Sequence, residues 1–159
     1  MKQLVYLDTN IILARYAPEE PHHDDATSLL NKIEMGEFMA VTSILALLEV
    51  ASATSRAYDR FVSGSESMKR EDVVGAFLRR VMALRNLEFI PLGGEITFIA
   101  DERSIRLPAV FGISFEICAK TGVKTLDNIH LATASIASRI YGHKIERFVT
   151  LDEDILKRH

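Results

Sequence analysis

Four acidic residues stand where a folded α/β chain brings functional groups together. Asp8 ends the first predicted strand, and Asp152 follows the last. Glu49 lies in an apolar helical stretch, and Asp127 lies in the first turn of a later predicted helix. Ligands of open α/β sheets bind just beyond the carboxyl ends of the strands. The four carboxylates are therefore candidates for one shared site at that edge.

Each acid also has a purely structural interpretation. Asp8 could cap the helix that follows it, and Asp127 and Asp152 could favour helix N-termini, where the helix dipole stabilises an anion. Glu49 is harder to explain in this way, because an ionised carboxylate in an apolar environment costs several kcal/mol unless it is paired or binds a metal. Its helical neighbours three and four positions away carry no positive charge: Leu45, Ala46, Ser52 and Ala53. A buried cation from elsewhere in the chain, or exposure at a helix edge, is the alternative.

Convergence of the four acids predicts a metal site. Carboxylates that share a site repel one another at neutral pH, and a hard divalent cation removes this repulsion. Mg²⁺ and Mn²⁺ prefer oxygen ligands, and such ions can activate a water and hold the leaving oxygen of a phosphodiester. A zinc site is not indicated, because the chain has one cysteine and its adjacent His22 and His23 are not spaced for one helix face.

Short apolar runs alternate with helical patterns along the chain. We predict strands at residues 4–7, 38–41, 87–90 and 147–151. Helices are predicted at 11–16, 22–35, from Thr42 or Ser43 to about 61, around 74–84, and at 95–107, 110–120, 125–141 and 152–157, with a polar loop at 63–67. This alternation predicts a parallel sheet with helices on both faces, a three-layer α/β/α sandwich.

Composition narrows the class of protein. A chain of 159 residues fits a single domain over residues 1–159. The formal net charge of −3 argues against nucleic-acid binding through bulk charge alone, but bound cations can offset an acidic centre. Neither a secretory signal nor a stretch of about 20 apolar residues is visible, so we expect a soluble, cytoplasmic protein.

Four motifs occur in chain order, and together they resemble the PIN-domain family over nearly the whole sequence. They are Leu-Asp-Thr-Asn-Ile-Ile at 7–12, the stretch from Ser43 to Val50, Thr-Leu-Asp-Asn-Ile-His-Leu-Ala-Thr-Ala at 125–134, and Val-Thr-Leu-Asp-Glu-Asp at 149–154. The resemblance implies a parallel-sheet α/β/α fold, an acidic site for Mg²⁺ or Mn²⁺, and hydrolysis of RNA phosphodiesters. Many small members resemble the VapC-like toxins of toxin–antitoxin pairs.

The resemblance also implies a role for individual residues. The metal ligands would be Asp8, Glu49, Asp127 and Asp152. Thr150 would support the last acid or a water at the metal, and Thr9 and Asn10 would shape the site through hydrogen bonds. Asp154 is an additional candidate.

An RNA strand needs a positive rim to reach an acidic centre, because phosphate contacts carry much of the affinity. Candidate residues, which could instead be solvated helix faces, are Arg79, Arg80, Arg85, Lys120, Lys124 and Arg139. Aromatic stacking platforms for single-stranded RNA are not evident in the sequence.

Apolar faces also suggest protein partners. Those around Leu78, Val81 and residues 111–117 suggest a homodimer. A cognate antitoxin, if present, is expected to insert a segment near the acidic cleft.

Two other functions compete with a metal-dependent endoribonuclease. The chain could be a catalytically weak RNA-binding or assembly module, although a pure binder has no need of four converging carboxylates. A phosphotransfer enzyme with Asp8 as nucleophile is disfavoured. Phosphatases of that kind place a second aspartate two residues later, where this chain has Asn10.

Overall fold

A four-stranded parallel sheet forms the centre of the computed structural model, which describes residues 2–61, 68–140, 142 and 144–156. Numbered along the chain, its strands are β1 (Gln3–Leu7), β2 (Phe38–Ser43), β3 (Leu87–Ile90) and β6 (Arg147–Val149), in the spatial order β3-β2-β1-β6. All three strand pairs are parallel, as the sequence predicts. The loop predicted at 63–67 lies outside the described residues.

Helices cover both faces of this sheet. They are α1 (Thr9–Ala14), α2 (His23–Glu34), α3 (Leu45–Arg56), α4 (Tyr58–Phe61), α5 (Arg70–Met82), α6 (Ala109–Thr121), α7 (Thr125–Ile140) and α8 (Glu153–Leu156). Val5 and Leu7 of β1 pack with α1, α2, α3 and α5 on one face, whereas Leu4 and Tyr6 pack with α6 and α7 on the other. Side chains alternate between the two faces of a strand, so β1 is apolar from Leu4 to Leu7 because both of its faces are buried there. The three-layer α/β/α prediction is confirmed.

The end of β1 fixes the position of the first acid. The backbone N–H of Asp8 donates to the carbonyl of Val149 at 2.9 Å, which extends the pairing of β1 with β6 by one residue. Asp8 then serves as the N-cap of α1, and its carboxylate accepts from the backbone N–H of Thr9. Asp8 therefore caps α1, as its structural interpretation predicts, and this role does not exclude a second one in the site.

The prediction of a helix at residues 95–107 is wrong. This segment is an antiparallel hairpin of β4 (Glu95–Ala100) and β5 (Arg103–Pro108), with Asp101 at φ 53° in the turn. Its run of β-branched and aromatic residues alternates with period two and favours a strand. The alternation places Phe98 against Phe115 of α6, with ring centroids 5.1 Å apart. The local sequence and packing on α6 therefore both favour the hairpin.

The long helix predicted from Thr42 or Ser43 to residue 61 is also corrected. Both residues lie in β2 and are fully buried, because β2 continues its pairing with β3 as far as Ser43. The helix α3 begins at Leu45, ends at Arg56 and is followed by the short α4. The last strand ends at Val149, two residues earlier than predicted, and this frees Thr150 to enter the site.

Candidate active site

Asp8 is held by donors from three residues. Its side chain accepts from the backbone N–H of Thr9 at 2.6 Å on one oxygen, and from Asn10 at 2.9 Å and Thr150 at 2.6 Å on the other. Asn10 also donates to Thr150 at 3.0 Å and accepts from the backbone N–H of Leu151 at 3.1 Å. The end of β1 and the chain after β6 are thereby joined through side chains. Asp8 is only 6% exposed, and these donors satisfy its carboxylate in that buried position.

Glu49 projects from α3 toward the same place. Its carboxylate accepts a short hydrogen bond from the Thr9 hydroxyl and one of 2.9 Å from Nε2 of His130. Burial raises the pKa of Glu49, but the hydrogen bonds from His130 and Thr9 hold it below its usual value. The carboxylate is therefore ionised at neutral pH and acts only as an acceptor. The partner from elsewhere in the chain, considered above as an alternative, is His130.

The sequence analysis assigned no role to His130. It is almost fully buried in α7, and its Nε2 lies 3.8 Å from an Asp8 oxygen. Its Nδ1 lies 2.8 Å from the Tyr6 hydroxyl. One signal could have found it. His130 follows Asp127 by three residues, and residues at that spacing share a helix face.

Asp127 and Asp152 form the other side of the cleft. Burial raises the pKa of Asp127, and the negative charges of Asp152 and Asp8 raise it further, against the opposing influence of Lys124 and His130. One Asp127 oxygen, Oδ2, is buried without a hydrogen-bond partner among the described residues. Lys124 Nζ lies 4.0 Å from Asp152 Oδ2.

A cleft of about 280 Å³ collects these groups. Among the described residues, its lining is Asp8, Thr9, Asn10, Leu13, Glu49, Ser52, Ala53, Arg56, Leu126, Asp127 and Asp152. All four predicted acids border it, together with Thr9 and Asn10. Thr150 lies behind Asp8, and the backbone N–H of Asp152 donates to the Thr150 hydroxyl at 3.0 Å.

The basic residues are placed differently from the acids. Arg79 and Arg80 are exposed near the end of α5 and are absent from the lining of the cleft. Lys124 stands beside Asp152 at the cleft, as its ion pair shows. Arg56, which was not among the sequence candidates, lines the cleft from α3. The side chain of Asp154 lies outside the described part of the structure.

The donor set fits a hard divalent cation. Within the described ranges no three His, Cys, Asp or Glu side chains are already drawn together as a complete metal site. The cleft nevertheless offers four carboxylates and the unpartnered Asp127 Oδ2, and oxygen-binding Mg²⁺ or Mn²⁺ suits such a set. Asp8, Glu49, Asp127 and Asp152 are the residues that would hold such an ion.

Comparison with known proteins identifies the family. No curated protein matches the sequence significantly. A family model for the PIN domain matches residues 5–159, almost the whole chain. PIN domains are generally nucleases that use divalent metals, so the match supports a nuclease role for the acidic cleft. The parallel sheet, the helical layers and the matched length agree, and the chain belongs to the PIN-domain family.

Proposed function

We propose that this chain is a metal-dependent endoribonuclease that hydrolyses RNA phosphodiesters. The observation that carries the proposal is the convergence of four carboxylates, from four separate parts of the chain, on one cleft. Burial raises the pKa of Asp127 most, and the negative charges of Asp152 and Asp8 raise it further, so Asp127 is repelled by two of the other acids. A site that only maintained the fold would gain nothing from this repulsion.

The proposed ligands are Asp8, Glu49, Asp127 and Asp152, with Mg²⁺ or Mn²⁺ as the cofactor. When bound, such an ion supplies a nucleophile at neutral pH and neutralises charge at the phosphate. The protein contributes orientation: Asn10 and Thr150 hold Asp8, and Thr9 and His130 hold Glu49. Pre-set carboxylates need little reorganisation during the reaction, which favours the transition state.

Positive groups near the cleft would guide the RNA backbone. Lys124 and Arg56 are well placed for phosphate contacts, and Thr9 and Asn10 border the place where the scissile phosphate would lie. Contacts from Arg79 and Arg80, which lie away from the cleft, stay a prediction for longer RNA strands.

The proposal extends to a toxin of a type II toxin–antitoxin pair. An apolar groove of about 390 Å³ lies directly beside the acidic cleft and shares Leu13 and Ala53 with it. Tyr16 and Phe77 supply aromatic surface to this groove. A segment of an antitoxin docked there would reach the cleft and block it, which supports a protein inhibitor as the partner.

We propose a homodimer through only part of the surface that the sequence suggests. Val81 is fully buried and Leu78 packs against the same core, so this part of the expected apolar face is covered by the chain itself. Exposed apolar side chains are found on the hairpin and α6 at Ile99, Ile105 and Phe115. This surface supports self-association through the hairpin side of the molecule.

In the described ranges no helix is long and apolar enough to cross a membrane. The cytoplasmic location and the one-domain organisation stay predictions.

The test compares wild type with Asp8→Asn on a panel of single-stranded RNAs in Mg²⁺, Mn²⁺ or EDTA. We expect metal-dependent cleavage by wild type, no cleavage in EDTA, and a loss of at least about 100-fold in Asp8→Asn, because a main electrostatic element of the site is removed. Equal cleavage by the variant would move the activity to another site or to a contaminant. Failure of wild type to cleave any RNA or bind metal would favour the RNA-binding or assembly module.

A further inference from the structure

A buried chain of hydrogen bonds connects the sheet to Glu49. It runs from the Tyr6 hydroxyl on β1 to Nδ1 of His130 on α7 at 2.8 Å, and from Nε2 of His130 to the Glu49 carboxylate on α3 at 2.9 Å. Tyr6 is fully buried and His130 nearly so. Neither residue lines the cleft, so neither contacts a substrate there.

We propose that Tyr6 and His130 are positioning residues that hold the Glu49 carboxylate in the orientation in which it binds the divalent cation. This inference rests on the proposed function of the cleft. It adds two residues whose effect reaches the cation only through Glu49.

The direction of the chain follows from the chemistry of Glu49. Its ionised carboxylate only accepts hydrogen bonds, so Nε2 of His130 must carry a hydrogen. The Glu49 oxygen at 2.9 Å is closer to Nε2 than the Thr9 hydroxyl at 3.4 Å or the Asp8 oxygen at 3.8 Å. Glu49 is therefore the acceptor for this N–H.

Tyr6 determines which ring nitrogen carries that hydrogen. The phenol of Tyr6 is a hydrogen-bond donor as well as an acceptor, and its hydroxyl lies 2.8 Å from Nδ1 of His130. Because Nε2 carries a hydrogen toward Glu49, a phenol that donates to Nδ1 keeps the ring hydrogen on Nε2. The ring of Tyr6 is itself fixed by stacking on Phe148 at 4.9 Å between centroids. Packing in the core thereby sets the orientation of the donor to Glu49.

The consequence concerns metal affinity. Glu49 lies on α3, whereas Asp8 follows β1 and Asp127 lies on α7, so these ligands come from separate layers of the fold. Groups that orient a ligand from behind typically change metal affinity or activity 10–100-fold when they are removed. Tyr6 and His130 occupy that position relative to Glu49.

The first measurement uses metal-free protein. Nitrogen-15 NMR of the His130 ring in wild type is expected to show a protonated Nε2, and Tyr6→Phe is expected to increase the Nδ1-protonated form. A wild-type ring with a bare Nε2 would overturn the proposal. This result does not depend on whether the protein cleaves RNA.

The second measurement is Mn²⁺ affinity by calorimetry. We expect His130→Ala to weaken binding about 10–100-fold and Tyr6→Phe about 10-fold, with substantial recovery in His130→Gln, whose side-chain amide can still donate to Glu49. Ile136→Val is the control, because it perturbs the same core cluster without touching the hydrogen bonds or the stack of Tyr6 on Phe148. Losses in Tyr6→Phe and His130→Ala no greater than in Ile136→Val would contradict the assignment.

A double variant makes the test specific. In a Glu49→Gln background, Tyr6→Phe should cause no further loss of Mn²⁺ affinity, because its effect passes through the Glu49 carboxylate. An undiminished further loss would show that Tyr6 acts by another route. If wild type binds no Mn²⁺, the proposed metal site fails as well, and the ring measurement still reports whether the hydrogen bonds exist.

Discussion

The two sides of the acidic cleft hold their carboxylates in different ways. Asp8 and Glu49 accept several hydrogen bonds from within the fold, and each is fixed by residues distant in sequence. Asp127 instead has a buried oxygen without a partner among the described residues, and its pKa is raised by burial and by Asp152 and Asp8. Asp8 and Glu49 form the assembled side of the cleft, because hydrogen bonds within the fold hold them. Asp127 and Asp152 form the strained side, where the charge of Asp152 raises the pKa of Asp127 and a cation would relieve the repulsion.

This difference predicts opposite contributions to stability. Carboxylates on the assembled side stabilise the fold through their hydrogen bonds, whereas Asp127 destabilises it when ionised. Substitutions that separate the two effects test the comparison directly.

The largest expected effect is on the assembled side. Asp8→Ala should lower the free energy of unfolding of the metal-free protein by about 1–3 kcal/mol, because donors from Thr9, Asn10 and Thr150 lose their acceptor. Urea denaturation measures this change. Asp152→Ala is the control, since its side chain is more exposed and should cost less. An equal cost for both variants would remove the distinction between the two sides.

Addition of metal should act through the strained side. Mg²⁺ at ten times its dissociation constant should stabilise wild type by about 1.4 kcal/mol, as expected for a ligand that binds only the folded state. Asp127→Asn should reduce this gain, and EDTA should abolish it. Thermal unfolding with and without Mg²⁺ provides the measurement. A gain in Asp127→Asn as large as in wild type would exclude Asp127 as a ligand.

A smaller effect of opposite sign is expected without metal. The pKa of Asp127 is raised in the fold, so ionisation costs stability as the pH rises through that value. Asp127→Asn removes the charge and should therefore raise the unfolding temperature of the EDTA-treated protein at pH 7. The advantage should shrink as the pH falls through the raised pKa of folded Asp127 toward the ordinary value of 3.8, because Asp127 then becomes protonated in wild type. A variant less stable than wild type at pH 7 would contradict the assigned strain.

The smallest effect concerns the rim. Lys124→Gln should change the free energy of unfolding by less than about 0.5 kcal/mol, because its ion pair with Asp152 is exposed. Its RNA affinity should become less salt-dependent, with a slope reduced by about 1 if Lys124 contacts a phosphate. Arg79→Gln, outside the cleft, is the matched comparison and should leave the slope for short RNAs unchanged. Equal slopes for Lys124→Gln and wild type would remove Lys124 from the RNA path.

Much of the framework follows from local sequence. The sequence predicted the four parallel strands from their apolar runs, because burial on both faces of a sheet demands continuous apolar residues. It also predicted most helices from their spacing, and the acids that follow strands. The hairpin of β4 and β5 was not predicted from the sequence. Its alternating residues favour strands but were interpreted as a helix, and only the structure shows the pairing of β4 with β5 and the contact with α6.

The sequence by itself indicated the candidate chemistry: four acids in motifs that resemble the PIN-domain family, three of them at a strand end or a helix start and Glu49 inside α3. Tertiary structure decided how each acid is held. Glu49 and His130 are 81 positions apart, and Asp8 and Thr150 are 142 apart, yet each pair is hydrogen-bonded. Periodicity reports only neighbours within a turn or along a strand. Partners across the sheet, and the strain on Asp127, arise only when the layers pack and exclude water.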